Sequence, residues 1–240
     1  MGLYFHQLKA GRDFGMDDPA AQQMNNFMYL IGDTATRQAV VADPAWDIPA
    51  VLRRLDADEM ELTGALATHY HPDHVGGHLF GHDITGLAEL LGSKPVKVYA
   101  NTHELEGMAA VTGLSRSDFS AVAGGDTLRL GEVTITFLHT PGHTPGSQCF
   151  LVNDSGGGSG LVAGDTLFIG ACGRVDLPGG DPQAMYESLT QKLARLPDDV
   201  VLYPGHDYGR TPTDTMGSQK RTNPYLQAKN LKDWLRTRDV

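Results

Sequence analysis

Thr68-His69-Tyr70-His71-Pro72-Asp73-His74-Val75-Gly76-Gly77-His78 follows directly on a mostly apolar run, Leu62 to Ala67, that reads as a buried strand. Its histidines and aspartate place four potential metal ligands between positions 69 and 74. On an extended segment the side-chain period is two, so His69 and His71 face the same way and can grip one ion. Asp73 and His74, beyond the bend expected at Pro72, can face a second. One histidine on a polar loop is unremarkable, but four donors gathered at a strand end are not, because α/β proteins place their sites there. The spacing predicts two adjacent metal sites.

Around this stretch, 240 residues with 40% hydrophobic content suffice for a sizeable core, and no linker is long enough to divide the chain. One domain spanning 1–240 is expected. The net charge of −10 carries no basic block, so the field repels phosphates and excludes nucleic acid and a polybasic membrane contact as partners. Residues 1–20 include Lys9, Arg12, Asp13, Asp17 and Asp18 without an apolar targeting segment. Nowhere do about eighteen apolar residues run together, so a soluble, cytoplasmic protein is expected. Cys149 and Cys172 are too few for a disulfide framework and are not spaced like a thiolate zinc site. Both read as thiols.

Asn26 to Ile31 and Gln38 to Ala42 read as strands joined through Gly32-Asp33 and Thr34 to Arg37, a hairpin at a sheet edge. Asp47 is suited to cap a helix carrying Ile48, Val51, Leu52 and Leu55 at helical spacing. After the histidine cluster, helices over Thr85–Leu91 and Thr102–Val111 alternate with a strand at Val96–Tyr99, an α/β order. Strands then follow at Thr127–Leu130, Val133–Leu138, Gln148–Val152, Leu161–Ala163 and Val200–Tyr203. The spacing of Met185, Leu189 and Leu193 predicts a helix over Pro182–Leu196, and Pro224–Leu235 closes the chain as another.

Three further donors lie at strand ends or tight turns: His143 in Pro141-Gly142-His143-Thr144-Pro145-Gly146, Asp165 after Leu161 to Gly164, and His206 in Pro204-Gly205-His206. The full set holds two metals if Asp165 bridges, with His69, His71 and His143 on one ion and Asp73, His74 and His206 on the other. His78, His82, His103 and His139 read as structural, since both sites are complete without them. Gly76-Gly77 and Gly179-Gly180 read as turn glycines, and Cys172 as a small turn residue.

From Asn25 to Pro224 the sequence resembles the metallo-β-lactamase superfamily, through His69 to His74 and the ordered His143, Asp165 and His206. The resemblance implies a four-layer αβ/βα sandwich with the metals at the sheet edges, two divalent ions (zinc first, iron or manganese as alternatives) and the ligand roles above. Within the superfamily, Gly170-Ala171-Cys172-Gly173-Arg174 looks like glyoxalase II (hydroxyacylglutathione hydrolase), with Arg174 and Tyr208 as substrate-binding residues. Two departures stand out: residues 207–240 leave no room for that enzyme's helical C-terminal domain, and Asp176 replaces an expected aromatic residue. Cys172 to Asp176 and His206-Asp207-Tyr208 look more like persulfide dioxygenases, whose single iron would map to His69, His143 and Asp165. The longer Leu79 to Leu91 segment argues against that branch.

The resemblance thus implies a hydrolase of a small-molecule thioester or related acyl ester, glutathione thioesters among the candidates, working through a metal-bridging hydroxide with Asp73 and Asp165 at the reacting centre. Persulfide dioxygenase is the alternative. A non-catalytic metal-binding module is disfavoured, because every ligand position is filled. The oligomeric state is not legible.

Overall fold

The computed structural model describes residues 2–238. Its first sheet contains β1 (Leu3–Lys9), β2 (Phe27–Asp33), β3 (Gln38–Ala42), β4 (Glu61–Leu66), β7 (Lys97–Asn101) and β8 (Phe119–Val122), in that order across the sheet. A small hairpin, β5 (Gly77–Leu79) and β6 (His82–Ile84), stands apart from it. The second sheet runs β16 (Asp214–Thr215), β15 (Val201–Tyr203), β12 (Ser159–Val162), β11 (Gln148–Asn153), β10 (Val133–His139), β9 (Thr127–Leu130). A two-stranded ribbon, β13 (Leu167–Phe168) with β14 (Ala171–Cys172), lies between β12 and β15 in sequence.

The side-chain period of two sorts each central strand between two cores. In β2, Phe27, Tyr29 and Ile31 enter the cluster shared by the two sheets, while Met28 and Leu30 face the other way. In β12, Val162 joins the shared cluster, and Leu161 faces outward with Ala163, the next residue. The outward core of the first sheet is covered by α1 (Pro19–Met24), α2 (Ile48–Ala57), α4 (Leu87–Ser93) and α5 (Leu105–Thr112). That of the second is covered by α6 (Pro182–Glu187), α7 (Met216–Thr222), α8 (Pro224–Gln227) and α9 (Leu231–Arg238). Three cores separating four layers make the αβ/βα sandwich implied by the sequence.

The Phe27–Ala42 hairpin is not at the edge. Residues Leu3 to Lys9 pair along its whole first strand, Leu3 opposite Asp33 and Lys9 opposite Phe27, so β1 takes that position. The sequence reading passed over β1 because its apolar residues are interrupted by His6 and Gln7 and followed by charges. The helix expected over Pro182–Leu196 stops at Glu187 and continues as a π-type turn, Ser188–Lys192, and a 3₁₀ turn, Leu193–Arg195. Met185, Leu189 and Leu193 are four apart, and an α-helix of about 3.6 residues per turn would rotate them progressively off one face. The wider turn lets all three stay buried. The closing helix is also broken: Asn230 accepts the Asp233 amide at 2.9 Å and restarts the chain as α9.

No helix among the described residues is long and apolar enough to cross a membrane. Cys149, in β11, is fully buried on the helix-covered face of the second sheet, and burial pushes its thiol up to about 11. A thiol reagent at pH 8 should therefore leave Cys149 unlabelled in the folded protein and label it after denaturation. Labelling at equal rates in both states would contradict that packing.

Candidate metal centre

Strand direction gathers the candidate ligands. β4 ends at Leu66 and delivers His69 and His71, and the one-turn helix α3 (Pro72–Val75) carries Asp73 and His74. β10 runs into the turn holding His143. The parallel pairing of β12 with β15, Val162 opposite Tyr203, brings Asp165 and His206 out side by side. The last two turns are too tight for a larger residue: Gly164 has φ +48°, and a Cβ there would lie 2.6 Å from Thr68 Cβ, while a Cβ on Gly205 would lie 2.5 Å from Asp165 Oδ1.

All seven sequence-predicted ligand positions converge. His71 Nδ1 lies 3.1 Å from His69 Nε2 and 3.0 Å from His143 Nε2. His74 Nε2 and His206 Nε2 are 3.1 Å apart, with Asp73 Oδ2 at 3.4 Å and 3.5 Å from them. Asp165 stands between the groups: Oδ1 is 3.3 Å from both His74 and His206, and Oδ2 is 3.5 Å from His143 Nε2. Donors about 2.0–2.2 Å from a tetrahedral ion sit about 3.3–3.6 Å apart, so these spacings match shared ligation.

The hydrogens reinforce this reading. His143 Nδ1 donates to the Arg174 carbonyl at 2.7 Å and His206 Nδ1 to the Met24 carbonyl at 2.8 Å. His74 Nδ1 donates to Asp43 Oδ2 at 3.0 Å, and His69 Nδ1 reaches Thr68 Oγ1 at 3.0 Å, whose own proton goes to Asp43 at 2.6 Å. Each of these rings thus commits Nδ1 outward and turns Nε2 inward, the atom an ion would take once it carries no proton. In the first group the facing nitrogens of His69 and His71, about 3 Å apart, crowd lone pairs together, and Asp165 Oδ1 is buried with no hydrogen-bond partner in ideal geometry. A cation relieves both.

Charge is balanced differently in the two groups. Burial first, then the neighbouring imidazoles, holds His69 well below the ordinary histidine range and His71 at about 4, so both are neutral donors. Burial opposes charge on His74 and His206 as well, but the Asp73 and Asp165 carboxylates outweigh it and raise both. Burial would raise Asp165, yet His206 and His74 hold it well below the usual carboxylate range. An ion entering the second group displaces protons from it.

The predicted substrate residues are placed differently. Arg174 is exposed, and its Nε and Nη2 donate to Asp176 at 3.0 and 2.7 Å, so its link to the centre is through its carbonyl rather than its charge. Tyr208 stacks on His206, ring centroids 4.6 Å apart and 8° from parallel. His78 pairs with Asp83, while His139 contacts the Pro145 carbonyl and stacks on His103 outside the centre.

The sequence reading missed the supporting residues. Asp43 accepts the Thr68 amide at 2.7 Å besides the two bonds above, so one buried carboxylate orients two rings. Asn26 donates to Asp73 Oδ2 at 3.0 Å, and the Trp46 indole donates to Asn26 Oδ1 and the Asp73 carbonyl. Glu104, buried, accepts from Tyr70 N, Thr144 Oγ1 and Gly146 N at 2.8, 2.8 and 2.6 Å, tying the His71 turn to the His143 turn. Asp43, at the end of β3, carried the same signal as Asp165: a carboxylate after an apolar strand. Asp43→Asn should weaken binding of the second ion by about 10–100-fold, read by competition with a chelator. Unchanged affinity would show that Asp43 does not orient His74.

A helix-flanked pair of sheets with two histidine–carboxylate groups bridged at their common edge defines a metal-dependent enzyme class. The chain belongs to the metallo-β-lactamase superfamily, whose pattern matches residues 22–206. Among curated relatives, a probable polyketide biosynthesis zinc-dependent hydrolase, BaeB, of Bacillus velezensis is 29% identical over 91% of this chain and 89% of its own. A probable hydroxyacylglutathione hydrolase of Schizosaccharomyces pombe is 33% identical over 86% of this chain and 71% of its own. The crystal structure of ETHE1 from Myxococcus xanthus superposes with a TM-score of 0.77 and 28% identity, covering 98% of this chain and 90% of that one. The donor set and these relatives support divalent metals.

Proposed function

We propose that this chain is a two-metal hydrolase of a small-molecule thioester or related acyl ester, acting in the cytoplasm, with His69, His71 and His143 on one ion, Asp73, His74 and His206 on the other, and Asp165 between. The observation that carries the reading is Asp165, whose two carboxylate oxygens face the two groups separately. Two divalent ions, zinc foremost, would supply Lewis acidity: polarisation of the substrate carbonyl and a water deprotonated near neutral pH. Asp73, held through Oδ2 by Asn26, and Asp165 would orient the attacking water, and Asp73 would take up the proton it loses. Tyr208, braced against His206, offers a face to the substrate at the centre's rim.

Persulfide dioxygenation with one iron on His69, His143 and Asp165 is the second reading, favoured by the Cys172 to Asp176 segment and by the likeness to the human persulfide dioxygenase ETHE1, 30% identical over 83% of this chain and 71% of its own. Metal analysis combined with thioester hydrolysis in air and under nitrogen separates the two. Close to two ions and oxygen-independent hydrolysis support the first; a single iron and oxygen uptake with glutathione persulfide support the second.

A further inference from the structure

A groove of about 640 Å³ opens beside the centre, lined by Ile169, Gly170, Tyr208, Gly209, Arg210 and Thr211. Its nearest wall, the Tyr208 ring, lies against His206, so a molecule reacting at the ions extends into the groove by passing Tyr208. The charges around it have partners. Asp207 accepts from the Lys9 ammonium at 2.6 Å, and Asp214, which also lines the groove, accepts from Gln219 at 2.7 Å and lies within electrostatic reach of Arg221. Arg174, the cation on the other side of the centre, is forked onto Asp176. Among the described residues none offers the Arg210 guanidinium a hydrogen bond or an ion pair, and Arg210 lines the groove exposed.

We infer that Arg210 is the specificity determinant for the leaving group: it binds a carboxylate or phosphate on the thiol carrier, which lies along this groove while the acyl carbon sits at the ions. This rests on the hydrolase reading and narrows its substrates to thioesters of anionic carriers. In a chain of net charge −10, an anionic ligand needs such an unbalanced cation, and a guanidinium offers paired donors matched to either oxyanion.

The test uses the metal-loaded protein and three carriers bearing the same acyl group: glutathione, with carboxylates; coenzyme A, with phosphates; and N-acetylcysteamine, neutral. Their S-methyl thioethers, which cannot be hydrolysed, report binding by calorimetry. Wild type should bind at least one anionic thioether about tenfold or more tightly than the neutral one, with the advantage shrinking in salt. Whichever anionic carrier prevails identifies the oxyanion. Arg210→Ala should abolish that advantage and raise KM for the anionic thioester with kcat kept, Arg210→Lys should restore part of it, and Arg174→Ala should leave it intact. Equal binding of charged and neutral probes, no binding of any, or loss in Arg174→Ala but not in Arg210→Ala overturns the assignment. Hydrolysis of all three esters with equal KM would remove the groove while leaving the hydrolase. Charge-selective binding without hydrolysis would do the reverse.

Discussion

His71→Ala is expected to lower turnover by more than about a hundredfold and to cost the protein the ion of the first group. Replacing a residue that merely orients a ligand typically costs about 10–100-fold, and His71 is itself a donor, the one whose Nδ1 lies within 3.1 Å of both His69 and His143. Without it the group keeps two imidazoles and the shared carboxylate. The ring is partly exposed and sits on a turn held independently by Glu104 through the Tyr70 amide, so the fold should survive. Thermal melting tests that separation. An ion present at about a hundred times its dissociation constant stabilises by about 2.7 kcal/mol, so chelation should lower the wild-type Tm by roughly 5–10 °C and the variant's by less. A variant with full metal content, full activity and the wild-type response to chelator would remove His71 from the site.

The seven donors were legible because ligation imposes local order on the chain. His69 and His71 must alternate on one extended segment, and His143, Asp165 and His206 must each leave a strand at the same edge. The apolar strands β2, β3, β4 and β12 are short and bounded by turns, so their positions could be read directly. What supports the donors could not be read this way, because each support joins distant parts of the chain: Asp43 to His74, Asn26 to Asp73, Glu104 to Gly146. Asp43 ends an apolar strand as Asp165 does, but nothing in the spacing of such single buried carboxylates names the partner they hold. The direction of a long side chain is equally invisible. Arg174 sits where the resemblance places a substrate cation, yet Asp176, two residues on, captures its guanidinium, and Arg210 is left facing the groove. The π-type turn after α6 was missed because apolar positions four apart are compatible with either helix type until packing selects one.

The buried counterpart, His206→Ala, should reduce metal content from close to two ions per chain to close to one and lower thioester turnover by more than about a hundredfold. Its Nε2 lies 3.1 Å from that of His74 and 3.3 Å from Asp165 Oδ1, while its Nδ1 is committed to the Met24 carbonyl. Removing the ring therefore withdraws a donor from the second group and a positive partner from Asp165, and leaves His69, His71 and His143 untouched. A two-ion hydrolase cannot absorb that loss, because the second group holds the other side of the reacting centre. A single iron on His69, His143 and Asp165 can, since His206 is not among its ligands. Tyr208 loses the ring it stacks on, so a fall in kcat alone could reflect misplaced substrate; metal content is the measurement that separates the causes. One ion lost from the variant together with its turnover, with wild-type turnover unchanged when oxygen is removed, is the hydrolase result. A variant that keeps a single iron and still consumes oxygen with glutathione persulfide at the wild-type rate would replace hydrolysis with dioxygenation as the chemistry of this centre.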